Sequence, residues 1–121
     1  MREIRNILTA TDFSHGAEVA AKVAKVAAEV YDAKLIAAHV VQNLDETFSF
    51  LVENVEDLEK KAIEEAEENL DALLEEIEVR KTQAHTIVTK GSAVDGVIRL
   101  ALQEHADLVV AGMVGATRSR N

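Results

Sequence analysis

The chain has 121 residues, of which 48% are hydrophobic and 29% charged, and its formal net charge at pH 7 is −9. This length and composition are typical of a small globular protein with a single core, so we expect one domain over residues 1–121. The absence of cysteine excludes disulfides, thiolate metal sites and a cysteine nucleophile. The sequence has neither a membrane-length apolar run nor a signal-peptide pattern, so we expect a cytoplasmic protein without a membrane partner.

The negative charge is concentrated in one part of the chain. Residues 45–80 hold 14 acidic and three basic residues, whereas the rest of the chain holds ten basic and eight acidic residues. The overall charge therefore says little about a ligand site outside that segment. The sequence also lacks a broad basic face for DNA or RNA, so we expect no nucleic-acid partner.

The first third of the sequence has the pattern of a strand, a helix and a second strand. Residues 4–10 predict the first strand, and residues 34–41, apolar on both faces, predict a buried second one. Residues 15–31 predict a helix with Ser14 as its N-cap. Its apolar face is predicted to carry Val19, Val23, Val26 and Val30. Such a unit forms a right-handed crossover, so the two strands should be parallel neighbours.

A long acidic helix follows a stretch without a clear period. In residues 42–54, the side chains expected to cover an edge or a pocket, or to order a loop, are Phe48, Phe50 and Leu51. Residues 55–78 predict a helix, and the stripe expected to face the core is Leu58, Ala62, Ala66, Leu70, Leu73 and Ile77. Opposite charges are few along it, so burial of that stripe must stabilise it. We expect its acidic side to be solvated, with docking of a partner as the alternative.

Two strands and a helix complete the pattern. Residues 83–89 predict a third strand, Ser92 is the expected N-cap of the next helix, and residues 107–112 predict a fourth strand. The side chains of that helix predicted to point inward are Val94, Val97, Ile98, Ala101 and Leu102. The alternation of strands and helices predicts an α/β sandwich with a mostly parallel sheet.

Two glycines three residues apart, Gly112 and Gly115, follow the fourth strand. Glycines at this place let backbone amides approach an anionic ligand, and nucleotides bind at the carboxyl edge of open α/β sheets. The alternative is that the pair marks a plain turn.

Four short motifs follow one another along the chain, namely Ala-Thr-Asp-Phe-Ser at residues 10–14, Ala-His-Val-Val at residues 38–41, Gly-Ser at residues 91–92, and the run 107–115 with its two glycines. Together these motifs resemble those of the universal stress protein family. The resemblance covers the whole chain and implies a Rossmann-like three-layer α/β sandwich. The family's five parallel strands have the order 3-2-1-4-5, and here we expect 3-2-1-4, with the fifth strand missing.

The resemblance also implies a nucleotide site. The ATP signature of one branch of the family is G-x2-G-x9-G-[ST], whose third glycine would fall beyond Asn121. The cofactor-binding residues implied here are Ala10, Thr11, Asp12, Val40, Ala111, Gly112 and Gly115. Asp12 would face the nucleoside and Val40 the adenine, while the last three would begin the phosphate loop. Without the third glycine we expect weak binding of ATP, with magnesium, or none.

Three functions are therefore considered. The first is a stress-response module that binds ATP or a related adenine nucleotide. The second is a ligand-free interaction protein that dimerises or docks to a partner. The unpaired edge of the fourth strand at Leu108, Val109 and Val110 favours such association, most simply as a dimer. The third is a slow ATPase in which Asp12 holds a metal or a water. The sequence has neither a Walker lysine loop nor a second strand-end carboxylate, so we favour binding without turnover and assign no catalytic residue.

The four histidines do not have metal-ligand spacing, so no metal site is expected. His39 should find a local partner for its ring.

Overall fold

A computed structural model describes residues 3–42 and 55–112 of the chain. Its elements, in order, are β1 (Asn6–Ala10), α1 (His15–Tyr31), β2 (Lys34–Val41), α2 (Val55–Glu76), a short 3-10 turn (Lys81–Gln83), β3 (Ala84–Lys90), α3 (Ala93–Gln103) and β4 (Leu108–Ala111). Within the described residues the strands form one parallel sheet with the order β3-β2-β1-β4. The predicted fold class and strand order are confirmed, and the predicted strand ends lie within two residues of those observed.

Different helices cover the two faces of the sheet. Ile7 of β1 packs with Ala24 of α1 and Leu74 of α2. The next residue of β1, Leu8, packs with Leu100 of α3. Because successive side chains of a strand point to opposite faces, α1 and α2 lie on one face and α3 on the other. The connection from β1 to β2 through α1 and the connection from β3 to β4 through α3 therefore lie on opposite faces of the sheet.

The buried face of α1 is made of alanines and not of the predicted valines. The buried residues are Ala17, Ala20, Ala21 and Ala24. The predicted inward residues Val19, Val23, Val26 and Val30 are instead 47% to 73% exposed. Small side chains let the helix lie close to the sheet, so the most hydrophobic stripe of this helix is not the buried one. The predicted orientation of α1 was wrong.

Helix α3 also departs from its predicted orientation, but only in part. Its buried residues are Gly96 and Leu100. Val97 and Ala101 pack against the core as predicted, but three other predicted core residues are exposed, namely Val94, Ile98 and Leu102. The predicted inward face of α3 was therefore only partly right.

The orientation of α2, in contrast, was predicted correctly along most of its length. Ala66, Leu70, Leu73 and the following Ile77 are buried, whereas Leu58 at the start of the helix is 44% exposed. Three predicted side chains between β2 and α2 lie outside the described residues, namely Phe48, Phe50 and Leu51. Within residues 3–42 and 55–112, the helices are too short or too polar to span a bilayer.

Candidate functional site

The ends of three strands meet at the carboxyl edge of the sheet. Ala10 of β1 is in register with Ala38 of β2 on one side and with Ala111 of β4 on the other. The amide of Thr11 extends this pairing by donating to the Ala38 carbonyl at 2.9 Å. Asp12 follows directly. The predicted site residues of β1 and β4 are therefore neighbours, at the place where the two crossovers diverge to opposite faces of the sheet.

A series of hydrogen bonds shapes the turn from β1 to α1. The Thr11 hydroxyl oxygen accepts from the Phe13 amide at 2.9 Å, and Asp12 Oδ1 accepts from the Ser14 amide at 3.0 Å. Ser14 Oγ in turn accepts from the Ala17 amide at 3.2 Å, which confirms Ser14 as the N-cap of α1. The exposed Asp12 carboxylate is thus held beside the amino end of α1, where a negative charge is favoured.

The Asp12 carboxyl group is ionised at neutral pH. Hydrogen bonds from the Ser14 hydroxyl and the Ser14 amide lower the pKa of Asp12 from its ordinary value of 3.8, and a smaller electrostatic contribution comes from His39. Partial burial acts in the opposite direction without outweighing them. An ionised carboxylate only accepts hydrogen bonds, so Asp12 suits hydroxyl or amino groups of a ligand and repels phosphate.

His39 of β2 contacts both residues that flank Asp12. Its Nδ1 lies 2.7 Å from the Thr11 carbonyl oxygen, and its ring contacts the Phe13 ring at a tilt of 36°, with centroids 4.7 Å apart. Because a carbonyl oxygen only accepts, Nδ1 must carry the proton of this hydrogen bond. The expected local partner of His39 is confirmed. The part taken by Phe13 was not foreseen, because only the fold brings residue 13 next to residue 39.

Val40 lies on β2, two residues beyond Ala38, and is partly covered by α3. A Cβ on Gly96 of α3 would be 2.8 Å from Cγ2 of Val40, closer than two carbon atoms can approach. The missing side chain of Gly96 thus makes room for Val40 at this edge. Nothing in the sequence pairs these two positions, so the role of Gly96 was not predicted.

Gly112 has a packing function of its own. A Cβ at this position would overlap with the backbone carbonyl of Gly16 and would be 2.8 Å from the amide nitrogen of Ala17. Glycine is therefore needed where the end of β4 passes the start of α1. Contact of Gly112 with a ligand stays a prediction, and Gly115 lies outside the described residues.

No three His, Asp or Glu side chains of the described segments come together as a group able to hold a metal ion. In the described residues this edge thus combines the Asp12 carboxylate, the His39 and Phe13 rings, the apolar side chain of Val40 and the backbone end of β4. This arrangement is suited to recognition of a small polar molecule.

Comparisons with known proteins give a consistent result. The sequence profile of the Universal stress protein family matches residues 3–120. No curated protein sequence matches the chain significantly. Similar solved structures include the universal stress protein UspA from Lactobacillus plantarum, which is 20% identical with a TM-score of 0.78, over 98% of this chain and 86% of that one.

Two further similar structures share the fold. The hypothetical protein MJ0577 is 25% identical with a TM-score of 0.74, over 90% of this chain and 74% of that one. A universal stress protein in complex with cAMP is 22% identical with a TM-score of 0.68, over 93% of this chain and 79% of that one.

Proposed function

The chain belongs to the universal stress protein family, and from this membership we propose that it is a cytoplasmic, stress-related module that binds an adenine nucleotide. The observation that carries the proposal is the register of Ala10 with both Ala38 and Ala111, because it brings those predicted site residues that the structure describes to one edge of the sheet. The similar structure of a universal stress protein in complex with cAMP supports an adenine nucleotide as the ligand.

The charges at the edge suggest how the nucleotide is oriented. The ionised Asp12 accepts hydrogen bonds from ribose hydroxyls or from an amino group and keeps phosphate away. The base then lies towards Val40, whose side chain is apolar, and the phosphates lie towards the backbone that follows Ala111. We propose ATP with magnesium as the principal ligand and cAMP as a related one.

Weak binding is part of this proposal. Asp12 and Ala111 are exposed, so the hydrogen bonds that they offer compete with water. We propose binding without efficient hydrolysis, because the sequence has neither a Walker lysine loop nor a second carboxylate at a strand end.

Calorimetric titration of ATP with magnesium, and separately of cAMP, into the parent chain and into Asp12→Asn tests the proposal. The substitution removes the negative charge that strengthens a hydrogen bond to a ribose hydroxyl. Hydrogen bonds to charged groups contribute about 1.5–3 kcal/mol, so the affinity should fall about tenfold or more.

Asp32→Asn is the matched control, because Asp32 is also exposed, lies at the other end of α1, and has a left-handed backbone that asparagine tolerates. Its affinity should equal that of the parent chain. The proposal fails if the parent binds neither nucleotide, or if Asp12→Asn binds both as tightly as the parent does.

Self-association is a second candidate function, favoured by exposed apolar side chains around β4. Within the described residues β4 pairs only with β1, and Val109 on this edge strand is 41% exposed. The exposed valines of α1 lie on one flank of β4. They are about half a turn around the helix from Ala21, which packs on α2, and so they face away from α2. An unpaired strand edge beside apolar side chains favours association with another chain.

Sedimentation at tens of micromolar tests this second candidate. We propose a dimer that Val109→Lys converts to monomer, whereas Leu58→Lys, the same kind of change at an exposed residue of α2, leaves it intact. A monomeric parent chain would contradict the candidate.

A further inference from the structure

The turn that carries Asp12 has an unfavourable backbone conformation. Phe13 has a φ of 65°, in the left-handed region that bulky residues rarely adopt. Such a conformation persists only where surrounding contacts hold it, and it is often found at functional sites. The question is therefore which contacts hold the turn.

His39 supplies two of these contacts from a rigid position. It lies on β2, an inner strand that pairs with β1 and β3, and it is in register with Val88 of β3. From there its Nδ1 donates to the Thr11 carbonyl at 2.7 Å, and its ring contacts the tilted ring of Phe13. The residues immediately before and after Asp12 are thus both fixed by one side chain of the sheet.

We propose that His39 is the positioning residue of this site: it holds the turn from Thr11 to Ser14 so that the Asp12 carboxylate is presented at the carboxyl edge of the sheet. For the effect on ligand affinity this inference rests on the proposed function. For the conformation of the turn it does not.

The hydrogen bond to Thr11 determines where the His39 ring carries a proton. Donation to the Thr11 carbonyl requires a proton on Nδ1, although free imidazole side chains favour the Nε2–H form. Packing alone would not require a histidine at this position to carry a proton on Nδ1.

Two substitutions of His39 separate donation from packing, and a third substitution elsewhere is the control. His39→Asn keeps an N–H donor close to the position of Nδ1, whereas His39→Leu keeps an apolar side chain of similar size and loses the donor. The matched control is His85→Leu, because His85 is half exposed and lies near the start of β3, at the opposite end of the sheet.

Two readouts on these variants test the proposal. Amide hydrogen exchange at Phe13 and Ser14, whose amides bond within the turn, should become about tenfold faster in His39→Leu and stay within about threefold of the parent in His39→Asn. Calorimetric affinity for ATP with magnesium should change in the same pattern. His85→Leu should alter neither quantity, and the nitrogen chemical shifts of His39 in the parent chain should report the Nδ1–H form.

The outcomes distinguish this inference from the proposed function. An Nε2–H ring in the parent chain, equal exchange in His39→Leu and the parent, or a His39→Asn variant as impaired as His39→Leu would each overturn the positioning role. If the parent binds no nucleotide, the proposed function fails, while the exchange rates and the nitrogen shifts still decide whether His39 holds the turn.

Discussion

The two helices on the same face of the sheet bury their residues in different ways. Helix α2 buries large aliphatic side chains, such as Leu70 and Leu73, and leaves its charges in solvent. Helix α1 buries only alanines and leaves its valines exposed. Because α1 packs directly on β1, β2 and β4, small side chains decide how close it can lie. The comparison teaches that hydrophobic periodicity locates a helix, while the size of the residues decides which face is buried.

Leu70→Ala should have the largest effect on stability. Leu70 is fully buried, so its truncation removes packing and leaves a cavity that costs about 3 kcal/mol. Urea unfolding of the variant measures this. Leu58→Ala on the same helix is the control, because Leu58 is 44% exposed and its truncation should cost less than about 1 kcal/mol. Equal losses would show that α2 does not bury its predicted stripe.

On α1, substitution of a buried alanine should change the stability more than substitution of a more hydrophobic but exposed valine. Ala24→Leu adds volume at a fully buried contact and should destabilise the fold by about 2 kcal/mol. Val23→Ala, at the neighbouring exposed residue, should change the stability by no more than about 0.5 kcal/mol. The comparison between α1 and α2 breaks down if Val23→Ala proves the more damaging of the two in urea unfolding.

Replacing each of the two buried threonines near the end of β1 by valine should change the free energy of unfolding in opposite directions. Thr9 has no hydrogen-bond partner for its hydroxyl within the described residues, so Thr9→Val should raise the free energy of unfolding by about 1 kcal/mol. The Thr11 hydroxyl accepts from the Phe13 amide, so Thr11→Val should lower it by about 1 kcal/mol. Thermal unfolding gives both values, and changes of the same sign would contradict the assignment.

The smallest effect concerns the pH dependence of stability at the start of α1. Folding lowers the pKa of Asp12, so the ionised group favours the folded state; this contribution is complete above the ordinary value of 3.8 and is lost as the pH falls through the folded value. The stability difference between the parent chain and Asp12→Asn should therefore shrink between about pH 5 and about pH 3. A difference that stays constant over this range in urea unfolding would contradict the hydrogen bonding of Asp12.

Much of the fold was predictable because it follows from local patterns. The alternation of strands and helices indicated the parallel sheet, and the resemblance of residues 10–14 and 107–115 to family motifs supplied the order of the strands. Ser14 was identified as a cap because its hydrogen bond to the Ala17 amide is local.

Features that depend on the distance between remote residues were not predictable. Gly112 is required by Gly16, Gly96 by Val40, and the strained backbone of Phe13 is matched to the ring of His39. Each partner is at least 26 residues away in the chain, so no periodicity connects the two positions. The valines of α1 were misassigned for a related reason: a hydrophobicity pattern contains no information on how closely a helix approaches the sheet.

The most direct test of a nucleotide site at the carboxyl edge is amide chemical-shift mapping during titration of the chain with ATP and magnesium. We expect the largest changes at Asp12, Val40 and Gly112, and little change at the opposite edge, where Asn6, Lys34 and Leu108 lie. Changes centred on that opposite edge or on α2, or no change at millimolar nucleotide, would contradict the proposed site.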